Sequence, residues 1–143
     1  MTRNHRPFLK LVPAAISVFA CLEAVAAEGL RYEVLYEFFP YPEGRYPNAL
    51  IQARDGSFYG TTESGGASDL GTIFKLDLKG VVTTFHSFAG SDGDSPCAAL
   101  IQASDGSFYG TTYGGGASGQ GTIFKLDPHG TFSTIHSFGG DDA

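Results

Sequence analysis

Tryptophan is absent, methionine occurs once, and cysteine occurs twice in 143 residues. One of the two, Cys21, lies in the N-terminal segment described below, so Cys97 is left without a partner. A disulfide framework within the chain is therefore excluded. Positive charge is also scarce, with nine Lys and Arg against 15 Asp and Glu. Nucleic acid and anionic membrane both demand a basic face, so neither is an expected partner. Long apolar runs are missing: the longest mostly apolar stretch, residues 11–22, is twelve residues. That is too short for a hydrocarbon core of ~30 Å, so no transmembrane anchor is expected. What the chain has instead is 20 glycines, 13% aromatics and many Thr and Ser. This mix suits short strands joined by glycine turns.

The first 26 residues stand apart. Arg3, Arg6 and Lys10 precede the apolar run, and Ala24-Val25-Ala26 is a small-x-small cleavage site before Ala27. This is the pattern of a secretory signal peptide, and residues 1–26 are set aside from the fold. Val18-Phe19-Ala20-Cys21 is an alternative lipoprotein processing site, with Cys21 as the lipidated residue, although Phe19 is bulky for it. Beyond residue 26 the chain keeps six Lys and Arg against fourteen Asp and Glu. It is then expected to be secreted or held at the cell surface.

The remainder is written twice. Residues 49–90 and 99–140 match at 30 of 42 positions, with a period of fifty. A fixed period of this size marks a repeat architecture. The expected divisions are a signal peptide at 1–26, a leading strand and loop at 27–48, repeat 1 at 49–98, and repeat 2 at 99–143. The leading strand covers 30–39 (LRYEVLYEFF), a run rich in Tyr, Phe, Val and Leu. Leu35-Tyr36-Glu37-Phe38 stands fifty before Phe85-His86-Ser87-Phe88 and one hundred before Ile135-His136-Ser137-Phe138. The mature chain thus opens on the last strand of an incomplete unit. Residues 40–48, marked by Pro40, Pro42, Gly44 and Pro47, are expected as a loop. Two complete units are few for such an architecture, so the chain is expected to be part of a longer array or to self-associate through exposed sheet faces.

Each full repeat offers four strands. In repeat 1 they cover 49–53, 57–62, 71–77 and 81–88; the last recurs at 131–138. Asp55-Gly56 is expected as a type I′ hairpin turn. Asp127-Pro128-His129-Gly130 is expected as a type I turn closed by a left-handed glycine. Alternation along the third strand puts Thr72, Phe74 and Leu76 on one face and Ile73 and Lys75 on the other. Phe58, Gly60 and Thr62 likewise oppose Tyr59 and Thr61. Neither face is polar, so each sheet needs packing partners on both sides. The fold expected is all-β: tandem four-stranded antiparallel meanders, like blades of a β-propeller, with a stacked β-solenoid as the alternative.

Three segments carry a family resemblance. Asp105-Gly106-Ser107-Phe108-Tyr109-Gly110-Thr111-Thr112, the loop Gly114-Gly115-Gly116-Ala117, and Gly121-Thr122-Ile123-Phe124-Lys125-Leu126-Asp127 resemble the GloVer-type tandem repeat of bacterial choice-of-anchor proteins. The closing Ile135-His136-Ser137-Phe138-Gly139-Gly140 is similar too. The period is also like that of a kelch-type blade. The resemblance implies an exported bacterial surface protein and implies no catalytic residue.

Candidate sites are few. Asp92 and Asp94, on a glycine loop, are the candidate Ca²⁺ ligands; the alternative is a solvated acidic loop. Asp141 and Asp142 recur in the next such loop. Gly114 to Gly119 fit G-x-G-x-x-G, but the following element is strand-like and a dinucleotide site needs a helix there. His86 and His136 are equivalent to Tyr36, which suits packing better than metal binding. His129 is equivalent to Lys79 and is expected at the surface. Cys97, fifty after Pro47, is expected as a half-buried thiol without a catalytic role. Tyr59, Tyr109 and Tyr113 can stack on sugar rings or simply pack. An active site is normally built once, so residues that break the repeat are the best places for chemistry. Arg54, Glu63, Asp69, Cys97 and Tyr113 do so, and they form no recognisable catalytic set. The function expected is a structural or ligand-binding module, with a glycan or another surface protein as partner and no cofactor. The alternatives are a propeller-type enzyme acting on extracellular polysaccharide and a Ca²⁺-dependent adhesion module.

Overall fold

The structure is a computed structural model and describes residues 33–38 and 43–140. The expected signal peptide, Cys21, Asp141 and Asp142 lie outside the described residues. Nine short strands and no helix occur among the described residues: β1 (Arg45–Pro47), β2 (Ile51–Gln52), β3 (Phe58–Ser64), β4 (Thr72–Leu76) and β5 (Val82–Ser87) in a first sheet, then β6 (Ile101–Gln102), β7 (Phe108–Thr111), β8 (Thr122–Leu126) and β9 (Phe132–Ser137) in a second. All pairings are antiparallel, and the second sheet runs in sequence order as a meander. The expected all-β meanders are present, one in each repeat.

The register explains the glycines at mid-strand. Gly60 pairs with Phe74, and Gly110 with Phe124. A Cβ on Gly60 would lie 2.8 Å from Leu50 Cδ2 and 2.9 Å from Phe74 Cζ. The missing side chain lets a leucine and a phenylalanine fold across the strand. One face of the first sheet, called here the leading face, therefore carries Leu50, Phe58, Gly60, Phe74 and Leu76. The opposite, trailing face carries Ile51, Tyr59, Thr61 and Ile73.

Four details depart from the sequence-based expectation. The Asp55 turn is not type I′. Gly56 N–H donates to Ala53 carbonyl O at 2.9 Å, Ala53 N–H to Ser57 O at 2.9 Å, and among residues 54–56 only Gly56 has positive φ. This is a three-residue loop, a type I turn closed by a left-handed glycine, in which Asp55 Oδ1 accepts from Ser57 N–H at 3.0 Å. The turn at residues 127–130 has the same form, as expected. Second, the expected loop at 40–48 contains β1, which pairs with β3. Third, residues 33–38, inside the expected leading strand, are not in a strand. Fourth, the pairing of β4 with β5 skips Phe85, and that of β8 with β9 skips Ile135, leaving a bulge in each last strand. A bulge turns its side chain out of the alternation. Phe85 and its neighbour His86 both reach the second repeat as a result.

The core lies where the two sheets meet. Tyr59, Ile73 and Phe88 from repeat 1 pack with Leu100, Phe108, Phe124 and Leu126 from repeat 2. The trailing face of one sheet covers the leading face of the next, as two apolar faces require.

Candidate functional site

The junction between the repeats is where most unusual side chains gather. Its centre is a ring plug. Phe88 sits edge-on against Phe124 at 5.4 Å and against Phe132 at 5.7 Å. His86 lies edge-on to Phe88 at 5.0 Å and stacks flat on Phe132 at 3.6 Å. Its Nε2 bonds Asp92 Oδ2 at 2.8 Å, while Asp92 Oδ1 accepts from Ala89 N–H at 2.8 Å. The Asp92 carbonyl accepts from Thr122 Oγ1 at 3.1 Å. One aspartate thus ties a loop, a plug and the next sheet together.

The same device stands at the start of repeat 1. Phe38 packs edge-on against Phe74 at 4.9 Å, with Tyr36 edge-on to Phe38 at 5.1 Å. Tyr36 hydroxyl donates to Glu43, whose carbonyl accepts from Thr72 Oγ1 at 3.0 Å. Burial, then the Glu43 carboxylate, pushes the Tyr36 phenol up to about 12. Glu43 is therefore the structural equivalent of Asp92, an offset of 49. Gly44 and Gly93 keep that offset, both at positive φ against Thr62 and Thr112. Tyr46 and Ser95, at φ 56° and 52°, keep it too. Pro47 thus answers to Pro96, not to Cys97. The loop between the repeats holds one residue more than the loop before residue 49, placed just before Ala99, and Cys97 is exposed where a half-buried thiol was expected.

The expected site residues can now be placed. Asp92 is engaged as above, and Asp94 Oδ1 accepts from Ser95 Oγ at 2.8 Å. Among the described residues no three His, Cys, Asp or Glu side chains are grouped to hold a metal ion. The G-x-G-x-x-G stretch is followed by β8, not by a helix. His129 is exposed on its turn. Tyr59 is buried, stacked on Phe108 at 4.2 Å and on Phe85 at 6.0 Å, so it packs. Tyr109 is half-buried, whereas Tyr113 is 80% exposed.

The residues that break the repeat have distinct tasks. Arg54 crosses the junction, its Nη1 donating to Ser104 carbonyl O at 2.8 Å and its N–H to Gln102 Oε1 at 3.1 Å. Asp69 bonds Arg45 at 2.7 Å and accepts from Gly65 N–H at 2.8 Å. Glu63, Cys97 and Tyr113, with Ser95, line one cavity of about 370 Å³. Sequence spacing hid this grouping, because Glu63 and Tyr113 are fifty apart, one near the end of β3 and the other just past β7 in a different sheet.

Exposed charge is organised by the turns. Lys75 Nζ bonds Asp55 Oδ2 at 2.8 Å, which holds the carboxyl below its ordinary value and raises the lysine. Backbone N–H groups lower Asp77 and Asp127, at the first position of their turns, and Asp105, at the third position of its own.

A family model described as the Gloeobacter/Verrucomicrobia repeat matches residues 21–143. The chain belongs to that repeat family. No curated protein matches the chain, so the Gloeobacter/Verrucomicrobia repeat brings it a fold and a bacterial setting without an activity. In its terms, the plug and the acid-bearing loop are the parts that join one repeat to the next. No helix among the described residues is long and apolar enough to cross a membrane.

Proposed function

We propose that this chain is an exported structural module of the bacterial cell surface, built of propeller-like blades that stack through a repeated plug. The recurrence of one junction device carries the proposal: Phe38 on Phe74 is repeated as Phe88 on Phe124. Side chains spent on joining units recur in every unit, while a catalytic set does not. The leader pattern at residues 1–26 supports export. The test is the intact mass of the chain recovered from the envelope and medium of exporting bacteria. A chain beginning at Ala27 is expected, and extra acyl mass on a chain beginning at Cys21 would make it a lipoprotein. A chain that keeps Met1 and stays in the cytosol would overturn the proposal.

A ligand-binding role has one observation of its own. The cavity beside Cys97 is edged by the Glu63 carboxylate and the exposed Tyr113 ring, a pairing that suits a sugar's hydroxyls and its apolar face. Saturable binding of a polysaccharide, lost in Tyr113→Ala with the melting curve unchanged, is the expected result. Turnover of that polysaccharide would favour the enzyme instead.

A further inference from the structure

We infer that the trailing face of the second sheet is a docking site for a further sheet of the same repeat, supplied by a second copy of this chain. The inference rests on the stacking proposal above. The junction inside the chain defines what such docking needs. Its donor side is Ile51, Tyr59, Ile73, Phe85 and the plug Phe88. Its acceptor side is Leu100, Phe108, Phe124 and Phe132.

Repeat 2 carries the donor set again as Ile101, Tyr109, Ile123, Ile135 and Phe138. None of these is covered as its counterpart is. Phe88 is 0% exposed and Phe138 36%. Ile73 and Thr61 are buried, while Ile123 is half-buried and Thr111 exposed. Ile101 is 65% exposed. An open apolar trough of about 260 Å³ runs across this face, lined by Ala98, Ala99, Ile101, Tyr109, Thr111 and Ile123. Ile101, Tyr109, Thr111 and Ile123 are already held by β6, β7 and β8, so most of the face is preformed.

Three of the four acceptor residues recur on repeat 1 as Leu50, Phe58 and Phe74, with Val82 in the place of Phe132. Leu100 is 2% exposed under the first sheet, and its counterpart Leu50 is 49% exposed. Phe58 and Phe74 flank it on the same leading face. Phe74 is already partly served: Phe38 holds the seat that an incoming Phe138 takes. The segment 33–38 is thus a competitor within the chain, and docking displaces its ring. Donor and acceptor are different surfaces, so the contact is head-to-tail and propagates into a ring or a filament.

The test uses the chain expressed with its own leader and purified in its processed form. Sedimentation velocity over a wide concentration range is expected to show reversible association. Ile101→Glu and Leu50→Glu each remove one side of the contact, and each alone sediments as a monomer. Mixed in equal amounts they form a heterodimer, because each keeps the surface the other has lost. Both positions are exposed, so melting curves taken at dilutions where the parent is monomeric stay with the parent's; where one does not, Ile101→Ser or Leu50→Ser replaces it. Phe38→Ser empties the seat and lowers the apparent Kd. A parent chain monomeric throughout, a Leu50→Glu chain that still self-associates, or a mixture that stays monomeric overturns the inference. So does a Kd unchanged or raised by Phe38→Ser. Intact mass of the same samples reports leader removal, so a failure of export is seen separately from a failure of docking.

Discussion

The plug residues show how one side chain type takes different weight in different places. Phe88 is fully covered by Phe124 and Phe132, whereas Phe138 keeps a third of its surface in solvent. Truncating a buried phenylalanine loses its transfer energy and leaves a cavity. Phe88→Ala is expected to cost ~3–5 kcal/mol, and Phe138→Ala under about 1 kcal/mol in a chain kept monomeric by dilution. Urea unfolding of the two variants checks this; equal losses would show that the junction does not hold the repeats together. At the same scale, the lowered carboxyls of Asp55, Asp77, Asp105 and Asp127 set a pH dependence. Their folded values lie below the unfolded one of ~3.9, so the stability they contribute is complete above that pH. It is lost as pH falls through the folded values, and the urea midpoint is expected to drop on that acid side. Asp127→Asn should flatten this slope, since its backbone donors would face an uncharged acceptor. For Tyr36 the sign is opposite: its contribution is full below the ordinary phenol value and is lost as pH rises toward about 12.

Within an element, the threonine pairs decide how strand ends meet loops. Thr112 Oγ1 and Thr122 Oγ1 lie 2.9 Å apart, Thr112 Oγ1 accepts from Thr122 N–H at 2.9 Å, and Thr122 Oγ1 lies 3.1 Å from the Asp92 carbonyl. Thr62 and Thr72 repeat the arrangement around Glu43. Among the described residues no buried side-chain polar atom lacks a partner. Valine keeps the shape of threonine and removes the donor, leaving the Asp92 carbonyl with Thr134 Oγ1 alone, at 3.3 Å, and Thr112 Oγ1 without its buried partner. Thr122→Val is expected to cost ~1–3 kcal/mol, while Thr131→Val on the exposed turn changes little. Thermal unfolding separates them, and a neutral Thr122→Val would mean that the loop carrying Asp92 is held by other contacts. The bulges at Phe85 and Ile135 belong to this scale too, and the first lets Phe85 and His86 both face the second repeat.

For the whole molecule, the two sheets form a single stack because each face of each sheet is apolar. Calcium is expected to leave the melting temperature unchanged. The Asp92 carboxylate is already bonded to His86 and Ala89, and Asp94 is bonded to Ser95, so an ion would have to compete with these partners for both carboxylates. A rise in melting temperature with millimolar Ca²⁺ would favour the adhesion alternative.

Period, strand content and the two-faced character of the sheets were legible in the chain alone. They follow from local chemistry: Asp-Gly and Pro-x-Gly set turns, and alternation of Phe58, Gly60 and Thr62 against Tyr59 and Thr61 sets faces, whatever lies nearby. The hydroxyl pairs, the bulges and the join at Asp92 were not legible, because they depend on residues fifty apart meeting. A uniform offset of fifty misplaced Cys97 opposite Pro47, since one inserted residue in a loop changes the pairing without changing the count at either end. The Asp55 turn was misassigned for a related reason. Asp-Gly tolerates two turn types, and the register of β2 against β3 selects between them. Glu63, Cys97 and Tyr113 came together only through packing of the second repeat on the first. Local sequence decides which strands form, because strand and turn preferences act over a few residues. Tertiary packing decides which faces are covered and which remain open, because burial is a property of neighbours.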